Sequence, residues 1–175
     1  MTFSFEAAVP VLDRTPRVLD ALLRDLPDAW THATEGPDTW SAYEVVGHLI
    51  HGERTDWMPR VRHLLAHGPD LPFPTFDRFA QQQASRGLTL PQLLDTFLAL
   101  RAESLRDLAA LHLTEADLER PGCHPEFGRV TLGQHLATWV AHDLDHLMQV
   151  TRVMGHQYAD AVGPWRQYLR IARGH

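Results

Sequence analysis

The chain of 175 residues contains no lysine, and its 16 basic residues are arginines scattered along the sequence rather than gathered in runs. With a net charge of -6, this argues against nucleic acid or an anionic membrane as the main partner. There is one cysteine, Cys123, so an internal disulfide is excluded and a reducing compartment fits. It sits in Pro121-Gly-Cys-His-Pro125, where nothing adjacent in sequence would lower its pKa, and reads as an ordinary loop residue. No apolar run approaches the ~20 residues of a membrane-spanning helix. Met1-Thr-Phe-Ser-Phe-Glu6 lacks the basic start and continuous apolar stretch of a signal peptide, so a cytoplasmic location is expected. Glu-x-x-His, the repeated element of di-iron bundles, is absent, and so is the Cys-x-x-Cys-His of attached haem. No segment makes a convincing strand.

What the sequence does have is helical periodicity. At 44% hydrophobic residues the chain is long enough for one domain with a substantial core, 1–175, and short for two. A first helix is expected over about Pro10 to Leu26, with Thr15-Pro16 either starting it or kinking a longer one. Ser41-Ala-Tyr-Glu44 is a capping box opening a second helix, which should run to about Ala66 before His67-Gly68-Pro69. From Pro69 to Leu88 the chain reads as an extended connection with a short helix around Phe76 to Ala84, long enough to cover a site. Thr89-Leu-Pro-Gln92 caps a third helix to Leu111. After a turn at Thr114 and a loop from Pro121 to Val130, Thr131-Leu-Gly-Gln134 caps a fourth, which Gly155 should close. A short helix from Trp165 to about Ala172 follows. The expected fold is all-α, an antiparallel four-helix bundle or a variant with a long crossover.

The fourth helix carries His142-Asp-Leu-Asp-His146, two imidazoles one turn apart. At about 100° per residue, Leu132, His135, Leu136, Trp139, His142, His146, Gln149, Val150 and Val153 share one side. Buried rings there need partners, since an unsatisfied imidazole costs about 1–3 kcal/mol. A shared divalent cation is one solution; hydrogen bonds from core histidines to backbone or carboxylate are the other. Asp143 and Asp145 are candidates to accept an imidazole N–H and fix its tautomer, or are solvated surface charges. His135 lines a pocket or is a bonded core residue. The pair also imitates the His-Glu-x-x-His of zinc proteases, with Asp143 in the general-base slot, although aspartate is shorter and little chain remains for a third ligand. Val140, Leu144, Leu147 and Met148 lie off the main stripe, which makes this helix central or part of a homodimer interface.

Two histidines bind a metal poorly alone, and the third donor should come from another helix. His48, in Trp40-Ser-Ala-Tyr-Glu-Val-Val-Gly-His48-Leu-Ile-His51-Gly-Glu53, is the candidate and His51 its rival. On the helical wheel His48 lies away from the main arc of Val46, Leu49, Ile50, Trp57, Val61 and Leu64. Gly52 beyond it would leave room for a metal or substrate, and Glu53 reads as a surface residue. A tryptophan before the capping residue, Val-Val-x-His about two turns later and a distant His-x3-His together resemble the DinB/YfiT-like superfamily of metal-binding four-helix bundles, from the first helix to about Gly155. The resemblance implies that His48, His142 and His146 hold a divalent cation and leave positions for water. Members of that superfamily include thiol-S-transferases that use bacillithiol or mycothiol and a mycothiol-dependent isomerase. Others are described only as metal-dependent hydrolases or DNA-damage-inducible proteins. His51 departs from the acidic or polar residue common at its position, and is a pocket residue, a fourth donor or solvent-facing.

Three neutral imidazoles would leave the charge of the cation uncompensated, favouring a deprotonated thiol or water. Zinc and nickel both suit imidazole. The expected function is therefore a metal-dependent thiol-S-transferase or hydrolase acting on a small molecule, with a low-molecular-weight thiol as a possible cosubstrate. The competing reading is a non-catalytic metal- or ligand-binding bundle of the stress response, which a closed four-donor shell would favour.

Overall fold

The computed structural model describes residues 3–172; the first two residues of the amino-terminal stretch considered above lie outside that range. Helix α1 (Phe5–Leu23) starts earlier than its apolar pattern suggests, because Ser4 accepts from the amide of Ala7 at 3.3 Å and caps it. It runs through both Pro10 and Pro16. Pro16 has no N–H for the carbonyl of Leu12, four residues back, and that freed carbonyl is used elsewhere in the core. A short α2 (Asp28–Thr31) leads to α3 (Ala42–Thr55), opened by the expected Ser41/Glu44 capping box.

The second helix does not continue to Ala66 as one rod. It breaks at Asp56, and α4 (Trp57–His67) sets off in a new direction. Pro59 explains the break: it cannot donate to the carbonyl of Thr55, and its ring would clash there. The connection then holds only α5 (Ala80–Ala84) before α6 (Leu90–Ala110), capped by Thr89 and Gln92 as expected. The segment read as a loop is a hairpin of β1 (Pro121–His124) and β2 (Gly128–Thr131), antiparallel, with Pro121 opposite Thr131 and His124 opposite Gly128. Gly128, at φ 71°, supplies the left-handed residue that a three-residue hairpin loop needs. Strands this short, containing Pro and Gly, carry no alternating pattern to read. The amide of Phe73 donates to the carbonyl of Cys123 at 2.9 Å, tying the long connection to the hairpin.

Helix α7 (Leu132–His156) follows, capped by Thr131 and Gln134. Gly155 lies inside it rather than closing it. A Cβ at that position would come within 2.6 Å of the Ile171 side chain, so the glycine admits the C-terminal segment. That segment forms two 3-10 turns, Gly163–Tyr168 and Arg170–Ala172, in place of the expected helix.

The protein is thus a four-helix bundle with a small hairpin. Helices α1 and α3 each pack against α6 and α7, so these consecutive helices lie on a diagonal. Two apolar clusters fill it. One gathers Leu19, Val46, Leu49, Phe97 and Val150; the other gathers Leu12, Trp57, Leu108, Leu136 and Trp139. Between them, drawing on α1, α3, α6 and α7, lies a buried polar layer centred on Arg101. Its Nε donates to Glu53 Oε1 at 2.8 Å, Nη1 to the Leu12 carbonyl at 2.6 Å and to Asp143 Oδ2 at 2.5 Å, and Nη2 to Asp143 Oδ1 at 3.0 Å. Nη2 also pairs with Glu53 Oε1 at 2.7 Å. All five donors of the guanidinium have an acceptor, and its plane lies against the rings of Phe97 and Trp139. Arg101, Asp143 and Glu53 are 1%, 0% and 4% exposed, so neither acid is the surface charge its sequence context suggests.

Removing one member of this layer strands the others. Arg101→Met should cost about 3–5 kcal/mol, while the triple change Arg101→Met, Glu53→Leu, Asp143→Leu should recover most of that loss. Urea denaturation of the three proteins checks this; equal stabilities for wild type and the single variant would show that the layer carries no net interaction.

Candidate metal centre

His142 and His146 face the bundle interior from α7, one turn apart, and His48 meets them from α3. The Nε2 atoms of His48 and His142 are 3.1 Å apart, as are those of His146 and His142. One ring nitrogen from each of the three lies within 4.8 Å of the others. The wheel position of His48 has a physical explanation: α3 packs against α5 and α6 as well as α7, so almost its whole surface is buried. The main apolar arc serves its other neighbours and His48 looks toward α7.

Aromatic rings confine the trio. Trp40 lies 4.8 Å from His48, Phe76 5.7 Å from His48 on another side, and Trp57 meets His142 edge-on at 5.0 Å. The Nδ1–H of His146 donates to Gln149 Oε1 at 2.7 Å, which leaves its Nε2 lone pair aimed at the other two rings. Burial pushes His48 down to about 3, with the charges of His146, His51 and Arg78 adding to the effect. His142 is likewise held at about 3 by burial and by its histidine neighbours. His146 is lowered by burial against the raising influence of Gln149 and nearby acids. All three rings are therefore neutral at pH 7, the state in which imidazole binds metal. Nitrogen-to-zinc distances of about 2.0–2.1 Å at angles of ~90–110° place ligand nitrogens about 2.9–3.4 Å apart. The observed 3.1 Å separations fit a divalent cation.

The remaining expected residues divide clearly. His51 is not part of the cluster; its ring packs on Phe76 at 4.9 Å and Nε2 lies 3.4 Å from Thr55 Oγ1. His135 is a bonded core residue, donating from Nε2 to the Trp57 carbonyl at 3.1 Å, and also lines the adjoining cavity. Asp145 is exposed and reaches His146 only through its charge. Asp143 neither accepts from an imidazole nor faces solvent, and its bidentate bond to Arg101 leaves it unable to act as the general base of a protease-like motif. Gly52 makes room for the Trp57 indole, which a Cβ would meet at 3.0 Å, rather than for a metal or substrate. Sequence reasoning missed Arg101, yet a signal was there: it follows Phe97 by one turn and precedes Leu108 by two on the buried side of α6.

Beside the trio opens a cavity of about 630 Å³, lined by His142 and His135 with Trp57, Phe73, Phe76 and Phe127 among its walls. At the hairpin, His124 Nδ1 accepts from the amides of Glu126 and Phe127, both at 3.2 Å, so its proton sits on Nε2.

Residues 11–150 match the sequence profile of the DinB superfamily. The chain belongs to the DinB superfamily. A solved structure titled "YfiT from Bacillus subtilis is a probable metal-dependent hydrolase with an unusual four-helix bundle topology" superimposes with a TM-score of 0.74 over 92% of this chain and 91% of that one, at 19% identity. At that identity the likeness is one of fold. No protein of curated function matches the sequence. Within the matched span, His48 and the His142/His146 pair come to one point.

The pH dependence of the metal-free protein follows from the buried rings. His48 and His142 titrate near 3 and His135 near 4, against 6.5 for exposed histidine. Protons therefore bind the unfolded chain first. The stability these neutral rings contribute is complete above about pH 6.5 and is lost as pH falls toward 4, at roughly 1 kcal/mol per pH unit per ring. Urea midpoints measured in chelator across that range should fall steeply; a flat profile would show that the rings are not held neutral.

Proposed function

We propose that this DinB-superfamily bundle is a divalent-metal-dependent enzyme in which His48, His142 and His146 hold zinc or nickel. The observation that carries this reading is the donor set: three convergent imidazole nitrogens with no fourth His, Cys, Asp or Glu joining them among the described residues. A closed shell of four donors favours a structural ion, whereas three protein donors beside an open space favour catalysis. The cation would supply Lewis acidity, favouring the deprotonated form of a bound water or thiol.

The chain's own residues do the rest. Trp40, Trp57 and Phe76 limit access of bulk water to the trio, and Gln149 fixes the tautomer of His146. The polar layer holds α7 in register with α3, which sets the distance between His48 and the other two rings. The cavity lies within the 300–1,000 Å³ typical of small-molecule sites, and His142 forms part of its wall. Hydrolysis of a small substrate is the simplest chemistry for this arrangement. Thiol transfer is the second reading, favoured by a volume of about 630 Å³ that admits a thiol cosubstrate beside its electrophile. Pairing of two copies through the outward Leu144 and Met148 of α7, 50% and 56% exposed, belongs to the same proposal.

Metal analysis of the purified protein beside a His142→Ala/His146→Ala variant tests the site. Wild type should carry about one divalent ion per chain and the variant none; equal content in both contradicts the proposal. His48→Ala should lower affinity by at least tenfold and His51→Ala should leave it unchanged, the reverse order placing the third donor at His51. A panel of low-molecular-weight thiols with a generic electrophile then separates transfer from hydrolysis.

A further inference from the structure

The cavity beside the trio has a polarity of its own. Its body is aromatic, from Trp57, Phe73, Phe76 and Phe127, and two arginines reach its lining, Arg60 and Arg78. Arg60 is neutralised in place: its Nε lies 2.9 Å from Asp56 Oδ1 and its Nη2 donates to the Pro74 carbonyl at 3.2 Å. Arg78 has no carboxylate within ion-pair distance among the described residues. The carboxylate next to it in sequence, Asp77, turns one oxygen to the Phe79 amide at 2.9 Å and is not among the ion-paired acids of the described residues. Arg78 follows Phe76 by two residues on the same connection, and Phe76 lies against His48. Arg78 and His142, one of the trio, line the same cavity.

A guanidinium with no internal partner, at the wall of an aromatic cavity, is a receptor for an anion. The charge balance fixes how much anion. Asp56 and Glu126 also line the cavity; Asp56 is matched by Arg60, whereas Glu126 opposes a second negative charge on a ligand. We infer that the cavity takes a substrate bearing one carboxylate on an apolar body of aromatic size, with Arg78 receiving the carboxylate and the aromatic walls the body. The inference rests on the proposed metal site only for the direction in which the substrate's other end points.

The test is binding of 3-phenylpropionate, its neutral amide and 2-phenylethyl phosphate to the full chain, by titration calorimetry, with zinc added and after chelation. The side chain of Arg78 is exposed, so substitutions there leave the bundle intact, which a thermal melt verifies. The carboxylate should bind about tenfold more tightly than the amide in both metal states. Arg78→Gln should erase that preference, and Arg78→Lys should retain part of it. Failure of the carboxylate to outbind the amide, a preference untouched by Arg78→Gln, or tighter binding of the phosphate overturns the inference. A preference present only with zinc places the anion on the cation; it leaves the metal reading standing and removes Arg78 from it. Carboxylate preference in a protein that takes up no zinc does the opposite, sustaining the role of Arg78 while the metal reading falls.

Discussion

Four helices meet at the guanidinium of Arg101. It projects from α6, takes both oxygens of Asp143 on α7, one oxygen of Glu53 on α3, and the carbonyl of Leu12 on α1. That carbonyl is available because Pro16 cannot donate to it, so a residue that weakens a helix locally provides an acceptor for the core. A buried ion network is weak evidence for net stability, since desolvating three charges offsets most of their attraction. Its consequence here is register. Apolar side chains tolerate sliding of one helix past another, whereas five directed hydrogen bonds on a planar fork do not. Burial raises the pKa of Glu53 even beside Arg101, and the balance among the three charges depends on each staying in place.

Register matters because the three histidines belong to helices that the layer joins. Asp143 is the immediate neighbour of His142, and Glu53 lies a little over one turn beyond His48. Fixing Asp143 and Glu53 on the same guanidinium therefore fixes the separation of the rings they accompany. The same layer divides the apolar interior into two clusters, with the trio at the division where the long connection and the hairpin can approach. The break at Asp56 has a part in this: it turns α4 so that Trp57 stacks on Trp139 at 5.6 Å, borders His142 and receives the His135 hydrogen bond. Tertiary packing thus keeps the rings neutral and convergent.

Much of this was legible from residue order. Three capping boxes, at Ser41, Thr89 and Thr131, have a local mechanism and occur where their spacing places them. The His142/His146 pair and His48 were readable from helical spacing and family resemblance. What escaped was information spread across helices. Arg101, Glu53 and Asp143 each look like surface charges on their own segment, and only their convergence makes burial affordable. Asp143 nonetheless stands seven residues after Leu136 and seven before Val150, squarely on the apolar stripe. Pro59 would have announced the break in the second helix. The hairpin was unreadable by alternation because its strands hold Pro121, Gly122 and Gly128, and its stability comes from turn geometry and from Phe73 pairing with its edge.

The central claim is that three imidazole nitrogens, and no other protein atoms, hold one cation. X-ray absorption fine structure of the zinc-loaded protein measures this directly. The account predicts three imidazole donors at about 2.0–2.1 Å with the remaining coordination filled by light exchangeable oxygen ligands. A first coordination shell with four or more protein donors, or with fewer than three imidazoles, would contradict it.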